Sequence, residues 1–311
     1  MRSMSRLRFL AKIIIRLPSV VNFVRSLWVQ ITLYSNSINQ IKFQQDIVSS
    51  SMELESVKVR SLNLNTLLEI LFLLRPKKID SKSMIRVGPK GEGGYVLYDN
   101  LEKISKLISI GIAKDTSFEE DFSQLTLGKA HIDMYDHTDR PVRKLPPNFA
   151  FHSIGVGNSD DLSKQLLTLR TIIRNSVQMS DTSILKIDID GAEYATLSEV
   201  DADLYNRFDQ IIIELHDISE INVSNGTIYS VVSKLLRDFN VIHLHPNSFE
   251  PWINVYGICL PKVLEITLLN KKYSDMFSSE IPVFPTNLDF PNRQFNEMIL
   301  GTFIYPEPKN Y

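Results

Sequence analysis

Between Ser183 and Leu197 the chain reads S-I-L-K-I-D-I-D-G-A-E-Y-A-T-L and changes from period two to helical spacing at Gly191. Ile184, Leu185, Ile187 and Ile189 suit a strand covered on both faces, yet Lys186, Asp188 and Asp190 fall at alternate positions and share one side. An ionised carboxylate buried without a partner is strongly destabilising, so both acids must emerge where the strand ends. In an open parallel sheet that place is the crevice at the carboxyl ends of the strands, where ligands bind. Gly191 permits the turn, and a helix starts over Ala192–Leu197 with Glu193 in its first turn, a favourable charge for the helix dipole. Gln210–His216, Q-I-I-I-E-L-H, repeats the device and ends on Glu214 and His216. If these strands are neighbours, Asp188, Asp190, Glu214 and His216 converge on one edge. A lone strand-end acid often only caps a helix, but four ionisable groups together read as a site.

The rest of the pattern predicts an α/β fold, a doubly wound, mostly parallel sheet of about seven strands with an N-terminal helical extension. Strands are expected at Leu107–Gly111, Ala130–Tyr135, Phe149–Val156, Val241–His245 and Val263–Leu269, beside the two already named. Helices are expected over 45–78, Ser117–Gly128 with a capping box from Ser117 to Glu120, Leu162–Arg174 entered from Ser159 and Asp160, and Tyr229–Phe239. Asp133 reads as a local cap. The glycine-rich run Arg86–Leu97 fits either a close backbone approach to a ligand or a hairpin turn. No G-x-G-x-x-G follows the first strand, which argues against a dinucleotide-binding turn. Organisation is expected as an extension over 1–80, a catalytic domain over 81–280 and an extended tail or lid over 281–311.

Met1–Gln45 holds no acid but carries Arg2, Arg6, Arg8, Lys12, Arg16, Arg25 and Lys42 among apolar residues. The charges interrupt every apolar run before it reaches the roughly 20 residues that span a bilayer. A basic amphipathic helix lying on an anionic membrane face fits this segment, the alternative being an arm packed on the domain or on a second subunit. The expected location is therefore cytoplasmic, with peripheral contact at the inner membrane face through 1–45. A net charge of -2 supplies no basic field, so nucleic acid is not an expected partner. The single cysteine, Cys259, excludes an internal disulfide and reads as a small core residue. Oligomeric state is not legible.

The runs K-I-D-I-D-G-A-E-Y, I-S-I-G-I-A-K-D-T-S-F-E and R-V-G-P-K-G-E-G-G-Y-V-L resemble the FkbM family of S-adenosylmethionine-dependent methyltransferases, over roughly Arg86–Lys271. H-L-H-P-N, P-K-V-L-E-I-T and L-D-F-P-N are similar to bacterial members found with surface-glycan genes. Asp190 stands where members usually carry Glu, Glu92 where they carry Asp, and Ala113 where many methyltransferases have a further glycine. The resemblance implies a class I methyltransferase fold with S-adenosyl-L-methionine as cofactor. It implies that Gly111, Ile112 and Asp115 approach the methionine end, that Asp136 with His137 meets the ribose, and that the loop from Gly155 to Asn158 borders the adenine. Asp188 is implied to face the methionine part or the transferred methyl.

A sugar hydroxyl needs its proton removed as it attacks a sulfonium methyl. The expected catalytic group is Asp188, Glu214 and His216, with His216 as base oriented by Glu214 or Asp188. Asp190, His243, His245 and Asn247 are expected to line the acceptor pocket. A divalent metal on Asp188, Asp190 and His216 is an alternative that the spacing does not favour. The expected reaction is O-methylation of a sugar in a surface glycan or glycolipid, one of the steps of polysaccharide biosynthesis. The alternatives are a small metabolite or lipid as acceptor, or a non-catalytic membrane-associated scaffold.

Overall fold

The computed structural model describes residues 64–218, 221–293 and 298–305. The chain divides into two compact units, Met1–Glu55 and Ser56–Tyr311, and the first, with the basic segment expected to meet a membrane, lies outside the described residues. The boundary expected near residue 81 falls inside the second unit. Helix α1 (Leu64–Leu73) ends before the expected limit at Lys78, which is already in a short strand, and buries Leu67, Ile70 and Leu71 in the same apolar cluster as the central strands. Phe284 and Phe303 of the tail join that cluster too. Among the described residues no helix is long and apolar enough to cross a membrane.

The hairpin β1 (Met84–Val87) and β2 (Tyr95–Tyr98) precedes the main sheet. Its strands are β3 (Lys106–Ile110), β4 (His131–Tyr135), β5 (Phe149–His152), β6 (Ser183–Ile187), β7 (Gln210–His216), β8 (Phe239–Pro246) and β9 (Val263–Asn270). Their order is β8-β9-β7-β6-β3-β4-β5, with β9 antiparallel to both its neighbours and the ladders from β7 to β5 parallel. This is the doubly wound, mostly parallel seven-stranded sheet that the sequence predicts. Helices α2 (Ser117–Leu125), α3 (Leu169–Ser176), α4 (Glu193–Ser198) and α5 (Ile221–Asp238) provide the connections.

Every residue of β6 is buried, as a strand covered on both faces requires. Lys186 is tolerated because its Nζ lies 5.6 Å from the ring centroids of both Tyr95 and Phe118 and 3.9 Å from Glu119. The hairpin covers this face: Val87, Tyr95 and Leu97 pack with Ile184 and Ile212, and Thr267 Oγ1 donates to Val96 O at 2.7 Å.

Three local expectations are corrected. The strand expected over Phe149–Val156 stops at His152, and Gly155–Val156 pairs instead with Leu166–Leu167. The helix expected from Leu162 begins at Leu169, because Gln165 has φ 57°, a left-handed residue through which no helix can run. Thr168 caps it by accepting from Thr171 N–H, while Asp160 accepts from Thr168 N–H. There is no capping box at Ser117: Thr116 is the cap residue, its hydroxyl donates to Glu120, and Asp115 Oδ1 accepts from Ser117 N–H.

Asp133 is a core charge rather than a cap. It is buried between Lys106, His131 and His152, and although burial alone would raise its pKa, the hydrogen bonds from His152 and Lys106 and the charges of Lys106 and His131 hold it down to about 2. A carboxyl depressed by folding stabilises the protein above its unfolded pKa and loses that contribution as the pH falls through the folded value. Stability should therefore hold down to about pH 4 and decline from there toward about 2 through this group. Asp133→Ala, which leaves Lys106 uncompensated, is expected to cost about 3 kcal/mol at neutral pH, measured by urea unfolding.

Candidate active site

The chain leaves β3 toward β4 on one side and leaves β6 toward β7 on the other, so the carboxyl ends of β3 and β6 bound a crevice. Gly111, directly after β3, has φ 75°, and a Cβ there would lie 1.6 Å from Asp188 O. Only glycine lets the two strand ends approach this closely. The crevice opens into a cleft of about 360 Å³, within the usual size of small-molecule sites. Its lining includes Gly111, Asp136, His137, Gly155, Asp188 and Asp190.

Asp136, at the end of β4, ties the loops around the cleft together. Its Oδ2 accepts from the N–H groups of Ile112 (3.2 Å) and Ala113 (2.9 Å), and its Oδ1 from Thr138 N–H, Thr138 Oγ1 and Asp139 N–H. Partial burial would raise its pKa, but these donors keep it below the ordinary carboxylate value. Beside it, a Cβ on Gly155 would lie 2.2 Å from His137 Nδ1, so Gly155 makes room for that ring.

Asp188 is shared between the cleft and a second, more buried group. Donor atoms of Asp188, Glu214 and His216 all lie within 4.8 Å of one another. Asp190 joins at the rim, 3.8 Å from His216 Nε2, at φ 50° and with its side chain exposed. The four strand-end groups thus meet. The residue that orients His216 is neither Glu214 nor Asp188 but Glu193, whose Oε1 lies 3.0 Å from His216 Nδ1. Glu193 is fully buried and also accepts from Ile189 N–H and Gly191 N–H, so it anchors the Asp190 turn and the imidazole together. Burial works to lower the His216 pKa, but the hydrogen bond and charge of Glu193, then Asp188 and Asp190, raise it overall.

Glu214 continues into a row of buried polar groups that includes residues missed in the sequence. It sits opposite Glu265 in the β7–β9 ladder, and Glu265 sits opposite His245 in the β9–β8 ladder. Burial, followed by the charges of Asp188, Glu265 and Glu92 and a hydrogen bond with Asp188, pushes the Glu214 carboxyl well above the ordinary range. Asn247 donates to Glu214 Oε1 at 2.6 Å and to Glu92 Oε2 at 3.3 Å. From the tail, Asn292 donates to Glu92 and to Glu265, both at 2.8 Å. Glu92 is likewise raised, by burial first and by Glu265 and Asp188, with the Asn292 and Asn247 bonds opposing. Tyr95 OH closes the group at 3.3 Å from Asp188 Oδ2.

Other expected residues stand elsewhere. Ile112 is buried against Phe118, and only its backbone reaches Asp136. Asp115 is exposed and lines a neighbouring open groove with Thr116 and Arg143 instead of the cleft. His243 is held by Asp289 at 3.1 Å and borders a separate, largely apolar cavity of about 300 Å³, because β8 has a bulge between Val241 and His243 and the tail packs over it. His245 is buried with its Nδ1 3.0 Å from Glu265, and Asn247 donates directly to Glu214. Cys259, expected in the core, is half-buried on the hairpin Trp252–Val255 and Ile258–Pro261.

Residues 84–240, just over half of the chain, match the sequence profile of the methyltransferase FkbM domain. No curated protein matches the chain in sequence. Among solved structures it is similar to a fibrillarin pre-rRNA processing protein from Methanococcus jannaschii, at 8% identity and TM-score 0.29, over 55% of this chain and 68% of that one. It is also similar to a precorrin-6y C5,15-methyltransferase from Geobacter metallireducens GS-15, at 11% identity and TM-score 0.28, over 55% of this chain and 84% of that one.

Proposed function

The chain belongs to the FkbM methyltransferase family, and from that premise we propose that it moves the methyl group of S-adenosyl-L-methionine to a sugar hydroxyl of a glycan or glycolipid. The observation that carries this reading is that the 360 Å³ cleft and the Asp188–Glu214–His216 group share Asp188. A donor in the cleft and an acceptor held at that group would meet across one side chain. The fit of the cleft supports the donor: it lies at the switch point of the sheet and carries a carboxylate at the end of the second strand, where a ribose diol is commonly held. Asp136 would meet the ribose hydroxyls indirectly as well as directly, because it holds the loop amides at 112 and 113 in place. Gly155 and His137 would border the nucleoside. When bound, the cofactor supplies an electrophilic methyl on a sulfonium.

The protein has to position an acceptor oxygen in line with that methyl and remove its proton. Asp188, Glu214 and His216 are the groups placed to activate the hydroxyl, with His216 held in one orientation by Glu193. The amides of Asn247 and Asn292 and the carboxyls of Glu92 and Glu265 continue the polar row behind Glu214 and hold that carboxyl in place.

Calorimetry with S-adenosylmethionine tests the donor, and transfer of its labelled methyl to sugar acceptors tests the reaction. Saturable binding is expected, weakened at least tenfold in Asp136→Ala; a chain that does not bind S-adenosylmethionine ends this reading.

A further inference from the structure

The Asp188–Glu214–His216 group has a property that hydroxyl activation by side chains alone does not call for: each member is held through one polar atom by a residue outside the group. Tyr95 OH holds Asp188 Oδ2, the Asn247 amide holds Glu214 Oε1, and Glu193 holds His216 Nδ1. Donor atoms of all three lie within 4.8 Å of one another. Ligands on one ion at roughly 2.0–2.2 Å stand about 3–4 Å apart, so the separations would have to close by at most about 1–2 Å to place them on a common centre. We propose that Asp188, Glu214 and His216 bind one divalent cation at the junction of the cleft and the buried polar row.

The second observation is Glu193. A metal-bound imidazole characteristically gives its other ring N–H to a carboxylate, which fixes the tautomer and strengthens the ligand. Glu193 makes that contact from a fully buried position, and its other oxygen, Oε2, has no hydrogen-bond partner. A buried carboxylate of this kind behind the ring needs positive charge nearby, and an ion on Nε2 would supply it. Two carboxylates and one imidazole suit Mn²⁺ and accommodate Mg²⁺ with more water in the coordination sphere.

The role of the ion rests on the methyl-donor reading of the cleft. Acting as a Lewis acid, it would bind the acceptor hydroxyl and lower its pKa, the proton passing to water in the open cleft. The oxygen then forms its bond to the methyl carbon as the carbon–sulfur bond breaks, and the electron pair leaves on a neutral thioether.

Mn²⁺ titration of the full chain, followed by calorimetry and by the electron paramagnetic resonance of the free ion, tests the site. One ion per chain is expected, with affinity reduced at least tenfold in Glu214→Gln and in His216→Ala. Glu193→Gln, a change in the positioning residue, is expected to weaken Mn²⁺ by about 10–100-fold. Circular dichroism establishes that each variant is folded. No saturable Mn²⁺ binding by the unmodified chain, or equal affinity in Glu214→Gln and His216→Ala, overturns the proposal. A chain that binds S-adenosylmethionine and transfers methyl in excess EDTA, yet takes up no Mn²⁺, loses the ion and keeps the methyltransferase reading. A chain that binds Mn²⁺ through these residues but not S-adenosylmethionine keeps the ion and loses the donor.

Discussion

His216→Ala is expected to lower methyl transfer by about 10²–10⁴-fold while leaving S-adenosylmethionine affinity unchanged. The separation of the two effects follows from where the ring sits. His216 is at the end of β7, against Glu193 and facing Asp188 and Asp190, and it is not among the residues that line the cleft. Its removal takes away the group proposed to activate the acceptor and leaves the Asp136 knot between the cleft loops untouched. A single-turnover measurement with saturating donor would show the loss directly. Transfer at the normal rate would take the activation of the hydroxyl away from this group. Glu193→Gln should fall between the two: the ring keeps a neighbour on Nδ1 but loses the charge behind it, so turnover drops while the variant still folds.

Gly111→Ala is expected to abolish donor binding and to destabilise the protein by about 3 kcal/mol or more, roughly 10 °C in Tm for a domain of this size. Two costs combine at this position. An L-residue at φ 75° is strained by about 1–3 kcal/mol. The new methyl would also stand 1.6 Å from the Asp188 carbonyl, which is backbone and can yield only if β3 and β6 separate. Those strands are tied at this level by Asp188 N–H to Ile110 O and, on the other side, Gly111 N–H to Tyr135 O, both 3.0 Å. Separation would move Asp188 out of both the cleft and the catalytic group. Gly191→Ala is the informative comparison. Its φ is 96° but a Cβ there meets nothing within 4 Å, so only the backbone cost applies, about 1 kcal/mol, and donor binding should persist. Thermal denaturation and calorimetry on the two variants separate conformational strain from steric exclusion.

The parts of the fold that were legible were those written in short-range periodicity. The limits of β7 and the seven-strand sheet followed from β-branched runs bounded by turn residues. The start of α3 did not, because one left-handed residue, Gln165, interrupts a stretch whose apolar spacing is otherwise helical. Asp133 looked like a cap because its three partners, Lys106, His131 and His152, come from three adjacent strands. Glu265 had a signal that could have been used: it is the only charge in the otherwise buried run V-L-E-I-T-L-L-N, and a single charge in such a strand needs a partner. Glu92 and Asn292 lie in runs that carry the family resemblance, but nothing local pairs them, since they meet only when the tail crosses the glycine-rich hairpin.

The sequence by itself determined that Asp188, Asp190, Glu214 and His216 stand at the ends of two strands, because alternation along a strand is local and burial of unpaired charge is forbidden wherever the strand lies. It also determined the family, through three runs spread over the first two thirds of the sheet. Only the tertiary structure decided who their partners are. Glu193 reaches His216 because α4 folds back beside β7, and the row from Asp188 to His245 exists because β9 enters antiparallel between β7 and β8. Both depend on strand order, which no interval of sequence encodes, since contacts between distant segments are selected by the packing of the whole sheet.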